Sequence, residues 1–330
     1  MQTALFDNNP ELSIVIPAFN ASGTINRAIE SLEQQTVSRE KYQIIIVDDG
    51  SSDNTFELCQ QAARQFSNIE VVRKENGGVS SARNMGLSLV RSKWVSFVDS
   101  DDFVSEVYVE TLISEQPEKD YVIFGYYGEE PGKSPAENAW MRLMTNQIYD
   151  QATVLQWICD NRLNSPCDKR YSMHIIKQNG IQFKEGINLG EDLLFNFEYA
   201  LHISEAFLSN ETVYVYTDNL DGLCRKKAVP NRLAEMEYIY TTMCRKCREN
   251  ALDEKYQRIL NLSFLRGIAR CAGQLYAAGI PTKEIKHLFA GNEMVQKVLA
   301  ERVRARKDIA RKILLKTHLY NVCSVVISAK

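Results

Sequence analysis

Three groups of carboxylates in the 330-residue chain have the types and spacing that chemistry requires: Asp48, Asp49 and Asp53 in VDDGSSDNT, Asp99, Asp101 and Asp102 in FVDSDD, and Glu191 and Asp192 in NLGEDLLF. A fixed carboxylate accepts a hydrogen bond from the imide N–H of uracil or from guanine's N–H donors but meets no such donor on cytosine's ring nitrogen, so Asp49 is a candidate base reader. Asp53 and Ser52 read better as caps of a helix that starts beside them. Three acids within four residues repel one another unless a cation or strong donors compensate. Mg²⁺ or Mn²⁺ meets that need, since these ions take one or two carboxylates together with substrate phosphates. A solvated acidic turn capping the next helix is the other reading of the same triplet. Glu191 and Asp192 open an apolar helix, where the dipole favours the anion. The pair is either a plain helix stabiliser or the source of a general base for a hydroxyl.

Two further groups accompany these acids. Gly77 and Gly78 in ENGGVSSARNMGL precede a helix, and backbone N–H groups at a helix start can approach a phosphate, though glycines also serve as turn residues. Arg83, on that helix, either faces a nucleotide or bridges to a carboxylate.

The elements that must position these residues alternate. Apolar runs at Leu12 to Pro17, Tyr42 to Val47, Ile69 to Arg73, Trp94 to Val98 and Tyr121 to Gly125 read as strands, with helices between them, the first placing Ile25, Ala28, Ile29 and Leu32 on one face. Such runs imply an α/β, Rossmann-like, mostly parallel central sheet with helices on both faces. Ligands then lie beyond the carboxyl ends of the strands, where the acids are. Glu129, Glu130, Pro131, Gly132 and Pro135 have the composition of an exposed loop and suit a lid. Helical spacing is expected over Ala136 to Cys159, Ser172 to Asn179 and Asp192 to His202, and Ala206 to Tyr216 reads as strand. From Pro230 the pattern is helical, broken at Pro281 and Gly291. A boundary near Asp221 divides a catalytic domain, 1–220, from a helical region, 221–330.

The net charge of −3 excludes a global basic field, and with it nucleic acid as a main partner. The polar start, Met1 to Glu11, lacks the features of a secretory signal, and no apolar window is long enough to span a membrane, so a cytoplasmic location is expected. The eight cysteines lack framework spacing and read as reduced core residues. Cys244 and Cys247 form one CxxC with no second pair, short of the four ligands that structural zinc takes.

Taken together, IVIPAFNA from Ile14, VDDGSSD, NGGVSSARNMGL, FVDSDD and GEDLLF ending at Phe195 resemble the family 2 nucleotide-sugar glycosyltransferases, whose catalytic domain has the GT-A fold. The order and spacing of these segments carry the resemblance, which covers the first two-thirds of the chain and is nearest to bacterial enzymes of capsule, exopolysaccharide and lipopolysaccharide synthesis. It implies that Pro17, Ala18 and Asn20 line the nucleotide pocket with Gly78 and Arg83, that Asp49 meets uracil, and that Asp99 and Ser100 lie near the ribose. It implies that Asp99 and Asp101 act as the DxD pair near ribose and metal, Mn²⁺ or Mg²⁺, with Asp102 competing with Asp101 as the metal ligand. Asp192 corresponds to the family's base, with Glu191 as the second candidate, and Lys169 in CDKRY resembles a lysine that recurs after a loop. The implied reaction is a single, inverting displacement on a UDP-sugar by the hydroxyl of a glycan acceptor, and the resemblance extends to the family's use of polyprenyl-linked acceptors. A nucleotidyltransferase of similar architecture needs a Gly-rich phosphate loop with a lysine, which IVIPAFNASGT does not supply. A non-catalytic sugar-nucleotide-binding protein is the remaining alternative, against which the retained acids argue.

Beyond Asp221 only composition speaks. Arg302, Arg304, Arg306, Lys307, Arg311, Lys312 and Lys316 crowd one stretch, followed by Leu314, Leu315, Leu319, Tyr320, Val322, Val325, Val326 and Ile327. This combination suits an anionic membrane surface, which would place the enzyme peripherally on the inner face of the plasma membrane. It equally suits a helix whose apolar face packs on the protein or on another subunit of an oligomer.

Overall fold

A computed structural model describes residues 10–129, 146–187, 189–217, 231–252 and 254–323. The chain divides into two compact units: Met1–Val154, Ser165–Gly186 and Glu198–Leu220 form the first, and Leu155–Asn164, Ile187–Phe197 and Asp221–Lys330 the second. The second unit thus takes two short segments that precede position 221. Position 221 itself, and residues 130–135 of the expected lid, lie outside the described residues.

The first unit is built on a nine-stranded sheet. β1 (Leu12–Ala18) pairs in parallel with β2 (Tyr42–Asp48) on one side and β4 (Trp94–Phe97) on the other, and β3 (Ile69–Arg73) extends β2. β1, β2 and β4 are buried throughout, as strands covered on both faces must be. Between them run α1 (Ile25–Glu33), which buries Ile25, Ala28, Ile29 and Leu32, α2 (Thr55–Gln65) and α3 (Val79–Leu89). Gly86 lets α3 approach the sheet closely, since a Cβ there would lie 2.3 Å from Val15 Cγ1.

Beyond β4 the sheet departs from the mostly parallel expectation. β5 (Phe103–Val104), α4 (Tyr108–Ser114) and β6 (Tyr121–Glu129) follow in sequence, but β6 does not lie beside β4. β8 (Lys169–Ser172) separates them, antiparallel to both. β9 (Glu205–Thr217) runs parallel to β6 and antiparallel to β5 and to β7 (Gln147–Asp150). The sheet is therefore mixed, with as many antiparallel pairings as parallel ones. β8, KRYS, escapes sequence reading because two of its four residues are basic, yet all four are buried. Its charges are met inside. Lys169 Nζ donates to Asp168 Oδ1 and the Ser165 carbonyl, both at 2.5 Å. Arg170 donates to the carbonyls of Leu112, Glu115, Gln116 and Lys119, closing the end of α4, and lies over the Trp94 ring. Lys169 is thus the first residue of a buried strand and directly follows the loop over 160–168.

The helix expected over Ala136 to Cys159 is also corrected: its first ten residues lie outside the described ones, Gln147–Asp150 is strand, and only α5 (Gln151–Cys159) is helical. α6 (Met173–Asn179) and α7 (Glu191–Ala200) fall close to expectation. The second unit's remaining helices are α8 (Arg232–Glu249), α9 (Glu254–Ala277), α10 (Thr282–Ala290), α11 (Glu293–Ala300) and α12 (Arg306–Lys316), with α9 the central one against which α8, α10, α11 and α12 pack. Cys159, Cys244 and Cys247 are buried free thiols there, and no group of three or more His, Cys, Asp or Glu able to hold a metal occurs among the described residues.

Candidate functional site

At the carboxyl end of β2, Asp48 is wholly buried and takes Arg73 Nε at 3.1 Å and the Ser51 N–H at 3.3 Å. Asp49 is almost as buried. Its Oδ1 accepts from Lys74 Nζ at 2.8 Å and the Gly77 N–H at 3.0 Å, and its Oδ2 accepts from the Gly78 N–H at 2.7 Å. Its own N–H donates to the Ala18 carbonyl at 2.8 Å, so the ends of β1 and β2 and the loop before α3 form one braced unit. The glycine N–H groups expected at a phosphate are committed here to Asp49. A carboxylate has about four lone-pair positions, of which three are filled, leaving one for a base N–H.

Asp53 does not take the expected cap position, which Asn54 occupies, and instead braces the entry to α2 from one residue earlier. Its Oδ1 accepts from the Thr55 N–H at 3.1 Å at the start of α2, and its Oδ2 accepts from the Ser22 N–H at 3.1 Å. Burial would raise its pKa, but the hydrogen bonds from Thr55 and Ser22 outweigh it and hold the carboxyl at about 2. Pro17 and Ala18 are buried in β1, whereas the next residue, Phe19, is 50% exposed. Asn20 has a φ of +49° and accepts from the Ser52 N–H at 2.9 Å, tying the β1 loop to the acidic one.

The end of β4 is arranged differently. Asp99 Oδ1 accepts from Arg83 Nη2 at 2.9 Å, so Arg83, buried over the Phe183 ring, takes the carboxylate-bridging role of the two it was offered. Because Gly78 is the N-cap of α3 and Arg83 lies one turn on, α3 connects the Asp49 brace to the Asp99 turn. Asp102 is only 1% exposed and turns toward β9, accepting from the Tyr214 hydroxyl on one oxygen and from the Thr217 N–H at 2.8 Å on the other. Burial first, then the Asp99 carboxylate, push its pKa well above the ordinary range. Ser100 and Asp101 are partly exposed. The Asp101 carbonyl accepts from Arg27 Nη2 at 2.8 Å, and the same guanidinium reaches Glu129 at 3.0 Å and Thr217 Oγ1 at 2.7 Å while lying over Phe103. One arginine on α1 thereby fixes the turn to the ends of β6 and β9.

With both Asp102 oxygens engaged, the carboxylates the turn can offer a hard cation are those of Asp99 and Asp101. That set is too small for a protein-only cage and fits an ion that completes its shell with substrate phosphates.

Glu191 and Asp192 belong to the second unit, as the first two residues of α7. Gly190 precedes them with a φ of +85°, and a Cβ there would lie 2.4 Å from Ile239 Cδ1, so only glycine allows this entry into the helix. Asn196 Nδ2 donates to the Asp192 carbonyl at 2.9 Å and to that of Asn164 at 2.7 Å, fixing the first turn. Glu191 is buried and Asp192 partly exposed.

Residues 13–179 match the sequence model of the family described as "Glycosyl transferase family 2". The chain belongs to that family. A glycosyltransferase of Bacillus subtilis named EpsJ, described as uncharacterized, is 30% identical over 69% of this chain and 64% of its own length. The poly(ribitol-phosphate) beta-N-acetylglucosaminyltransferase TarP of Staphylococcus aureus is 28% identical over 63% of each chain. The chain thus spans less than two-thirds of the length of these relatives. Residues 1–349 of S. aureus TarS, solved in complex with UDP-GlcNAc, superpose with a TM-score of 0.71 at 20% identity, covering 96% of this chain and 90% of that one. The glycosyltransferase therefore has the GT-A fold, with C-terminal helices beyond it.

Sequence reasoning missed Phe19, Arg27, Lys74, Tyr214 and Thr217. Phe19 carried a usable signal, an aromatic directly after a strand. The other four reveal themselves only through partners distant in sequence.

Proposed function

We propose that this glycosyltransferase moves an N-acetylhexosamine or hexose from UDP to a hydroxyl of a surface-glycan acceptor, carried on a polyprenyl lipid, with inversion at the anomeric carbon. The observation that carries this reading is the Arg83–Asp99 bridge, which ties α3, whose N-terminal glycine holds Asp49 at the end of β2, to the acidic turn after β4, so that the candidate residues converge in one region at the carboxyl ends of the strands. In it, Pro17, Ala18, Asn20, Gly78 and Ser100 line the nucleotide, Asp49 accepts the uracil N–H on its remaining lone pair, and the exposed Phe19 ring offers a stacking face. The names of the S. aureus relatives, which specify UDP-GlcNAc and N-acetylglucosaminyl transfer, favour the N-acetylhexosamine.

Asp99 and Asp101 would hold Mn²⁺ or Mg²⁺, which when bound supplies charge stabilisation to a diphosphate leaving group. Arg83 orients the Asp99 carboxylate, and Arg27 holds the turn's backbone. Asp192, in the first turn of α7, takes the acceptor's proton as the acceptor oxygen forms the new bond to the anomeric carbon. The bond to the diphosphate breaks on the opposite face and its electron pair leaves with UDP. Glu191, being buried, serves as a supporting carboxylate. The enzyme works at the cytoplasmic side of the membrane that carries its acceptor.

Asp192→Asn is expected to lower transfer by about 10³-fold while leaving UDP affinity unchanged, in the range of a lost general base. Transfer at the wild-type rate would sink the assignment. A protein that only binds sugar nucleotides would release no UDP from UDP-GlcNAc in the presence of Mn²⁺, whereas the enzyme releases it slowly to water.

A further inference from the structure

We infer that the outer face of α12 docks this protein on an anionic lipid surface. One side of the helix is committed to the second unit: Leu315 is buried, and buried Asp308 accepts from Arg311 at 2.7 Å and faces Arg266 at 3.5 Å. The other side carries Ile309 and Ile313, 38% and 53% exposed and one helical turn apart, and Leu319 follows at 47%. Arg306, Lys307 and Lys316 on the same helix are exposed, as are Arg302 and Arg304 in the segment that leads into it. From 302 to 323 the only carboxylate in the sequence is Asp308, which faces inward. A chain of net charge −3 has thus gathered an unbalanced positive patch on the segment that carries three exposed aliphatic residues.

This chemistry selects among occupants. A polyanion such as a phosphodiester glycan would use the cations and leave the aliphatic side chains in water. A second copy docking symmetrically through this face would set five cations against the same five, which repel. An anionic leaflet uses both: the isoleucines enter the acyl boundary while the long basic side chains extend to the headgroups. No helix among the described residues is long and apolar enough to cross a membrane, so this contact is interfacial. It requires no sugar transfer and stands independently of the proposed reaction.

Flotation of the full chain with vesicles tests it. Binding is expected to vesicles that mix phosphatidylglycerol into phosphatidylcholine, and not to phosphatidylcholine alone. Each basic residue near an anionic leaflet strengthens binding about fivefold, so replacing Arg302, Arg304, Arg306 and Lys307 together by Gln should weaken it at least about a hundredfold. Ile309→Ser with Ile313→Ser should also release the protein from vesicles while preserving its binding to inorganic polyphosphate. Both variants should melt and bind UDP as the wild type does, since these side chains face solvent. Equal binding to the two vesicle types overturns the inference. So does an isoleucine variant that floats like the wild type, which assigns the patch to polyanions, or a dimer in sedimentation that this variant dissolves.

Discussion

At the end of β2 stand Asp48 and Asp49, and at the end of β4 stand Asp99, Asp101 and Asp102. In sequence the two sets look alike, acids following an apolar strand. In the structure the β2 pair is buried and met by Arg73, Lys74 and the Gly77 and Gly78 N–H groups, all from the adjoining strand β3 and its loop. The β4 set is split. Asp102 is drawn inward by β9, Asp99 is bridged by Arg83, and Asp101 stays partly open with its backbone held by Arg27. Where the fold supplies donors to both oxygens, as at Asp49 and Asp102, a carboxylate becomes a brace. Where it holds the backbone and leaves the side chain near solvent, the same residue type can serve a ligand.

The largest effect that tests this contrast lies within the β4 turn. Asp101→Ala should cost about 10³-fold in transfer and remove the stimulation of UDP binding by Mn²⁺, a loss of several kcal/mol of charge stabilisation. Asp102→Asn should keep both, because an amide can preserve much of its packing and hydrogen bonding. Equal losses in the two variants, measured by metal titration, would erase the distinction between ligand and anchor.

At β2 the expected effect is smaller and falls on stability. Asp49→Ala takes away the acceptor of the part-buried Gly77 and Gly78 N–H bonds, a cost of about 1.5 kcal/mol in denaturant unfolding, and UDP affinity should fall with it. If affinity falls while stability holds, Asp49 is a reader without being a brace. Smallest is Asp53→Ala, at about 1 kcal/mol for the lost hydrogen bonds to Ser22 and Thr55. Because the folded state depresses the Asp53 pKa, its contribution is complete above the ordinary aspartate value and declines as pH falls from about 4 toward 2. Urea unfolding across that range should show the wild type losing its advantage over the variant.

Legibility followed local self-sufficiency. β1, β2 and β4 were readable because an unbroken apolar run is itself the signal of a strand covered on both faces. α1 was readable from the spacing of Ile25, Ala28, Ile29 and Leu32. β8 was not, because Lys169 and Arg170 look like surface residues until Asp168 and the carbonyls beyond α4 are known to surround them. Asp101 and Asp102 could not be told apart either, since the Tyr214 and Thr217 groups that claim Asp102 lie 112 and 115 residues away.

The amino-acid order determined the strand and helix periodicities, the clustering of acids at strand ends and the family signature, because each depends on neighbours within a few residues. Only tertiary structure decided which acids face inward, which arginine bridges and which strand lies between β4 and β6. Desolvation and hydrogen bonding are set by whatever is packed alongside, however far off in the chain.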